Sequence, residues 1–206
     1  MVTLNNDDAA LWWEGPFAVD GDGAPNCYGP PGTPALDHLA NAGSDGDWYG
    51  ILTDASGNRI VQGPNDPYPG MYISPTAAQD HGYAVHDPRR YVDSTVTPYI
   101  SIPSNEIHDH TIVLGDVGLV YNRATKQWAS AVVADVGPKN KFGEGSIALG
   151  KAIGIQNTSP KNGGADSGIV WVIFKGSSKG WPRAPAEIDD QVTALLDAAG
   201  GISKFI

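Results

Sequence analysis

Residues 118–134, Gly118-Leu-Val-Tyr-Asn-Arg-Ala-Thr-Lys-Gln-Trp-Ala-Ser-Ala-Val-Val-Ala134, carry apolar runs on both sides of a short polar turn. This pattern predicts a β-hairpin with strands over 118–122 and 127–134. A further run, Ile169-Val-Trp-Val-Ile-Phe174, has almost no polar character and predicts a buried strand. Several short strands of this kind with few helices are typical of a β-barrel or a β-sandwich.

The regions around these strands add one more strand and two helices. Residues 96–102 predict a strand, in which Pro98 favours a position at the edge of a sheet. Helices are predicted over 147–153 and 185–199, where apolar residues recur at helical spacing. The first third of the chain is rich in Gly and Pro turn signals, apart from a short helix that is expected to begin at Thr33.

The length of the chain indicates one domain. We expect residues 1–206 to form a single mainly β barrel with a few peripheral helices, and residues 1–8 to form a flexible N-terminal arm. The double-psi barrel is one form that this fold class takes. The start of the chain lacks the basic head and apolar segment of a signal peptide, and no apolar run is long enough to span a membrane.

The charge balance is acidic, with 13 Lys and Arg against 23 Asp and Glu and a net charge of −10. Such a protein repels nucleic acid and anionic membranes, so neither is expected as a partner, and it attracts cationic ligands. An acidic surface also serves solubility alone, so the charge does not decide the function. The single cysteine, Cys27, rules out an internal disulfide and is interpreted as a structural thiol.

Two carboxylates are the strongest candidates for catalysis. An apolar strand leads directly into Asp135, and a loop then brings Glu144 to the beginning of a predicted helix. Hydrolysis of a glycosidic bond needs one carboxylic acid as proton donor and one carboxylate on the other side of the sugar. The alternative is that Asp135 forms a turn before Gly-Pro and that Glu144 is a solvated loop residue.

The same segment resembles the core motif of the glycoside hydrolase family 75 chitosanases. The resemblance rests on Asp135-Val-Gly-Pro followed by Gly143-Glu-Gly-Ser146, and it extends over residues 66–175. Upstream it includes Arg90–Pro103 and Leu114–Asn122, and residues 18–23 are similar to an acidic turn found early in family members.

The resemblance implies an extracellular, endo-acting enzyme that cleaves β-1,4 linkages of chitosan, a cationic polysaccharide, with inversion. Glu144 would be the general acid and Asp135 the general base, with no metal and no cofactor. Asp93 and Asp116 lie in matching stretches and are candidates to bind the amino groups of the substrate. Tyr99 and Trp128 are candidates to stack against sugar rings. A monomer is expected.

Three other functions stay open at this point. The chain could hydrolyse another cell-wall glycan, or it could bind carbohydrate without cleaving it. A metal-dependent protein is the third alternative, because His108 and His110 have the spacing that places two imidazoles on one face of a strand. The sequence Gly176-Ser-Ser178-Lys-Gly180 fits a nucleophile motif, but no histidine follows it in the chain, so this match is accidental.

Overall fold

A computed structural model describes residues 2–109 and 111–206, without the side chains of His108 and Asp109. The strands are β1 (Leu4–Asn6), β2 (Ala10–Asp20), β3 (Gly43–Ser44), β4 (Asp47–Trp48), β5 (Tyr99–Pro103), β6 (Val117–Asn122), β7 (Trp128–Gly137), β8 (Glu144–Ser146) and β9 (Gly164–Phe174). The helices are α1 (Glu106–Asp109), α2 (Ile147–Ala152) and α3 (Pro185–Ala198), with 3-10 turns at Leu39–Ala42, Pro88–Arg90 and Ile202–Lys204. Among the described residues, no helix has the length and apolar character needed to cross a membrane.

Six of the strands close into a barrel. The order around it is β2-β8-β5-β7-β6-β9, and β9 pairs again with β2. The β2–β8 and β5–β7 pairs are parallel, and the other four are antiparallel. Strand β1 adds to the free edge of β2. Closure satisfies the backbone hydrogen bonds of every barrel strand on both sides, which an open sheet does not. The mainly β, single-domain barrel with few helices is therefore confirmed.

Strand β2 lies in a stretch for which the sequence predicted no strand. Its residues Leu11, Trp13, Phe17 and Val19 are buried in the barrel core. The strand pattern was hidden by Gly15-Pro16, which is a turn signal in sequence. In the structure this pair is absorbed by a register shift against β9 between Gly15 and Phe17. A bulge of this kind bends a strand without ending it.

The barrel interior is built around a stack of aromatic rings. Trp13 and Trp171 lie parallel with their ring centroids 5.9 Å apart, and Phe17 stacks on Trp171 at 5.3 Å. The Trp171 indole N–H donates to the carbonyl of Pro16 at 3.1 Å, so its only polar atom is satisfied. The stack joins β2 to β9 across the seam that closes the barrel.

The other predicted elements have mixed outcomes. The hairpin is confirmed as β6 and β7, the apolar run lies in β9, and both helices are confirmed as α2 and α3. The edge position predicted from Pro98 is wrong, because Pro98 precedes β5, whose residues are all buried and paired on both sides. The helix expected from Thr33 is reduced to the 3-10 turn at Leu39–Ala42.

Two expectations about the fold stay predictions. Strand β1 pairs with β2, and the ammonium of Lys204 lies 2.7 Å from the Asp7 carboxylate. The flexibility expected of residues 1–8 is not tested by these contacts. The double-psi connectivity likewise stays a prediction.

We expect Trp171→Ala to lower the free energy of unfolding by about 3–5 kcal/mol, because it empties the centre of the aromatic stack. Urea unfolding followed by circular dichroism measures this loss. Trp128→Ala is the matched control: Trp128 is 40% exposed, and its loss should change stability by about 0.5 kcal/mol or less. Equal losses in the two variants would contradict the central role of the stack.

Candidate active site

A cleft of about 820 Å³ lies over the neighbouring strands β2, β8, β5 and β7. Five acidic side chains that come from different parts of the chain line it together, namely Asp20, Asp22, Asp37, Asp135 and Glu144. Volumes of this size are typical of ligand-binding clefts. Because loops from the first third of the chain form the opposite wall, the barrel strands and these loops build the cleft jointly.

The central strand β5 sets the positions of Asp135 and Glu144. Ser101 of β5 stands opposite Asp135 on β7 and opposite Glu144 on β8. Neighbouring strands are about 4.8 Å apart, so the backbones at the two acids are separated by about 9–10 Å. Both side chains line the cleft, on either side of Ser101.

The Asp135 carboxylate is fixed by backbone hydrogen bonds. Its Oδ1 accepts from the Ala77 N–H at 2.8 Å, which ties β7 to the loop wall of the cleft. Burial raises the pKa of Asp135 to about 6, although the N–H groups of Ala77 and Val136 act in the opposite direction. The nearby charge of Glu144 raises the pKa further. A carboxyl with such a pKa exchanges protons near neutral pH.

The Glu144 carboxylate lies at the beginning of β8, next to Lys141 of the preceding loop. The Lys141 ammonium lies 2.7 Å from its Oε1, and the lysine side chain is about half exposed. On the other side, a Cβ placed on Gly137 would lie 3.0 Å from Glu144 Oε2 and 3.2 Å from Ser101 Oγ. A larger residue at position 137 would therefore press against the Glu144 carboxylate, which glycine avoids.

Asp20 and Asp22 complete an acidic cluster beside Asp135. One carboxylate oxygen from each of these three residues lies within 4.8 Å of the others. Asp22 Oδ1 accepts from the Ser74 hydroxyl at 3.1 Å, and the Tyr28 side chain also bonds to this carboxylate. Among the described residues, no lysine or arginine forms an ion pair with any member of the cluster.

The environment of the cluster favours protonated carboxyls. The pKa of Asp22 is raised to about 8, mainly by burial and then by the charge of Asp135. Burial also raises the pKa of Asp20 well above its usual range, together with the charges of Asp22, Asp135 and Glu144. Three acids without a cation are costly to keep in a fold, so the cluster indicates a function.

Asp93 and Asp116, predicted to bind amino groups, do not line this cleft. Asp93 accepts hydrogen bonds from the backbone and hydroxyl of Thr95 within a local turn. Asp116 is fully buried and accepts from the N–H groups of Val113 and Ser178, which ties β6 to the loop after β9. Their predicted contact with substrate stays a prediction.

The predicted aromatic residues also lie apart from the acids. Tyr99 is buried, and its hydroxyl donates to the Asp22 carbonyl at 3.0 Å, so it supports the loop that carries Asp22. Trp128 is exposed, but it begins β7, and seven residues separate it from Asp135. This spacing corresponds to roughly 23 Å along a strand. Stacking against a sugar by either ring stays a prediction.

The structure adds Asp20 and Asp22 to the site. The sequence contains the turn Asp20-Gly-Asp22-Gly, but more than 100 residues separate this turn from Asp135, so no local pattern predicts that the three acids lie together.

The predicted metal-binding histidine pair does not lie on a strand in the part of the chain that the structure describes. Residues Glu106–Asp109 form helix α1. His110 and the side chain of His108 lie outside the described residues.

Comparison with protein families assigns the chain to a family of glycoside hydrolases. The family described as fungal chitosanase of glycosyl hydrolase group 75 matches residues 70–199, well over half of the chain. The chain belongs to this family. A comparison with curated proteins gives no match. The part that matches the chitosanase family contains Asp135 and Glu144, whereas Asp20 and Asp22 lie before it.

We expect Asp22→Asn to stabilise the protein at pH 8 and to flatten its pH dependence. The pKa of Asp22 rises from 3.8 to about 8 on folding. The folded protein therefore holds more protons than the unfolded chain between these values, and stability falls as the pH rises through this range. Removal of the carboxyl should raise the free energy of unfolding at pH 8 by about 1–3 kcal/mol.

Urea unfolding at pH 4, 6 and 8 measures this effect. Asp190→Asn, which changes an exposed acid on α3, is the matched control and should follow the wild type at every pH. If the stability of Asp22→Asn falls from pH 4 to pH 8 as steeply as that of the wild type, ionisation of Asp22 does not destabilise the fold and the prediction is wrong.

Proposed function

We propose that this protein cleaves β-1,4 linkages within chitosan chains and inverts the configuration at the anomeric carbon. One observation carries the proposal: Asp135 and Glu144 stand two strands apart, line one cleft, and lie in the part of the chain that matches the chitosanase family. Inverting glycosidases need two carboxyl groups roughly 6.5–9.5 Å apart, with a water between one of them and the sugar. A backbone separation of about 9–10 Å across β5 suits this requirement.

In the proposed mechanism Glu144 is the general acid and Asp135 the general base. Glu144 protonates the oxygen of the leaving sugar while Asp135 removes a proton from the attacking water. Asp135 is suited to the second role because its hydrogen bond to the Ala77 N–H fixes its orientation. Its pKa of about 6 keeps it ionised in neutral solution and basic enough to accept the proton.

Lys141 must give up its contact before Glu144 donates a proton. The Lys141 ammonium occupies the position beside the Glu144 carboxyl group where the oxygen of the leaving sugar has to bind. Because Lys141 belongs to the loop between β7 and β8 and is half exposed, its side chain can turn into solvent when substrate enters. We propose that Lys141 holds Glu144 only in the free enzyme.

The acidity of the cleft supports a cationic polymer as substrate. Five acidic side chains line the cleft, and the whole chain carries a net charge of −10. A polymer of glucosamine units is attracted to such a surface, which speeds its association. One chain holds all the proposed catalytic groups, so a monomer suffices, and action on a polymer agrees with an extracellular enzyme.

We expect Glu144→Gln and Asp135→Asn each to lower kcat on highly deacetylated chitosan by about 100-fold to 10,000-fold, because each removes one partner of acid–base catalysis. An assay of new reducing ends measures the rate, and NMR of the fresh products shows whether the α-anomer forms first. Glu14→Gln and Asp190→Asn are matched controls at exposed positions and should keep wild-type rates.

Other results would identify other functions. Chitosan binding by the wild type without new reducing ends would indicate a binding protein, and cleavage of chitin or peptidoglycan alone would indicate another glycan hydrolase. A variant at either acid with wild-type turnover would remove that residue from the mechanism.

The activity should also depend on the ionisation of Asp135. A general base acts only when it is deprotonated, and the pKa of Asp135 is raised to about 6. We therefore expect kcat/KM to fall about tenfold per pH unit below pH 6. A profile that stays flat between pH 4 and pH 6 would contradict this role. Initial rates on soluble glucosamine oligomers give the profile without the complication of polymer solubility.

A further inference from the structure

The acidic cluster can accept three hydrogen bonds from one primary ammonium group. Its three carboxylate oxygens, from Asp20, Asp22 and Asp135, lie within 4.8 Å of one another. An ammonium group points three N–H bonds in tetrahedral directions. With N–H···O distances of about 2.8 Å, its three acceptors stand about 4.6 Å apart. The cluster therefore offers one acceptor to each N–H of a single ammonium.

Ser101 gives a second and independent indication of a bound polar ligand. Its side chain lines the same cleft and stands opposite Asp135, yet the residue is only 2% exposed. Its hydroxyl has no hydrogen-bond partner in the part of the chain that the structure describes. Buried hydroxyls without partners are uncommon and costly, which points to a partner supplied by a ligand.

The charges around the cluster leave room for a cation. Two lysines line the cleft, Lys141 and Lys161. Lys141 is already bonded to Glu144, and among the described residues neither lysine forms an ion pair with the cluster. The hydrogen bonds to the cluster come from neutral groups, namely backbone N–H groups and the hydroxyls of Ser74 and Tyr28. A ligand that brings its own positive charge would compensate the repulsion among the three acids.

We propose that Asp20 and Asp22, with one oxygen of Asp135 as the third acceptor, bind the amino group of one glucosamine unit and thereby select against N-acetylglucosamine at that position. The proposal rests on the proposed function and names the residues that determine its specificity. An acetamido group has no charge and a single N–H, so it would leave two carboxylates without partners. The second oxygen of Asp135 remains for the attacking water. Ser101 donates to a hydroxyl of the same sugar.

The test compares Asp20→Asn and Asp22→Asn with wild type on partially acetylated chitosan. Mass-spectrometric sequencing of the products shows which sugar occupies each position counted from the cleaved bond. We expect the wild type to show glucosamine alone at one position, and both variants to accept N-acetylglucosamine there. We expect kcat/KM on fully deacetylated oligomers to fall about 10-fold to 100-fold in each variant, and to fall less on acetylated ones. Asp190→Asn is the control and should keep the wild-type pattern.

Each outcome has a distinct meaning. If the wild type cleaves chitosan but both Asn variants keep its product pattern, the specificity role is wrong and the proposed function stands. If the wild type does not cleave chitosan, both proposals fail. If EDTA abolishes wild-type cleavage and calcium restores it through Asp20 and Asp22, the cluster binds a metal ion and the ammonium proposal is overturned. Unfolding curves of the variants show that each comparison concerns folded protein.

Discussion

The register of β5 between β7 and β8 is the constraint on which the site depends. Ser101 stands opposite Asp135 on one side and Glu144 on the other, so a single strand fixes the separation of the two acids. A shift of either neighbour by one residue would turn its acid to the other face of the sheet. The barrel secures this register because closure leaves no strand free to slide. Folding of the barrel and assembly of the proposed catalytic pair are thus the same event.

The second layer of the site comes from loops and strand β5 in the first half of the chain. The Ala77 N–H holds Asp135, Ser74 and Tyr28 hold Asp22, and the buried hydroxyl of Tyr99 supports the Asp22 backbone. These contacts orient acids that repel one another and that burial disfavours. The protein therefore keeps its least stable arrangement of charges where its most rigid elements meet, as is common in active sites.

The sequence predicted the barrel class because the two hairpin strands and residues 169–174 of β9 are apolar runs without turn residues. It also singled out Asp135 and Glu144, which lie on consecutive strands of the chain and carry a recognisable motif. The structure places both in one cleft, and their catalytic roles stay a prediction. It missed β2, because Gly15-Pro16 looks like a turn and acts as a bulge only when β9 is beside it. It missed the contact of Asp20 and Asp22 with Asp135, because pairing of β2 with β8 is a long-range event that no local pattern encodes. Asp93 and Asp116 were chosen because they are acidic and lie in stretches that match the family. These two properties do not separate a residue that caps a turn from one that binds a ligand.

The glycines on both sides of Glu144 limit how this enzyme can diversify. A Cβ on Gly145 would lie 2.9 Å from Leu149 Cδ2, and one on Gly143, whose φ is +88°, would lie 2.4 Å from the Pro16 carbonyl oxygen. A side chain at position 143 has to displace the bulge of β2, and one at position 145 has to move the buried Leu149 side chain. In a library of random variants, positions 143 and 145 should accept almost no substitution, while the exposed stretch 139–141 accepts many. New substrate preferences would then arise by change in that loop, while the surroundings of the proposed proton donor stay fixed.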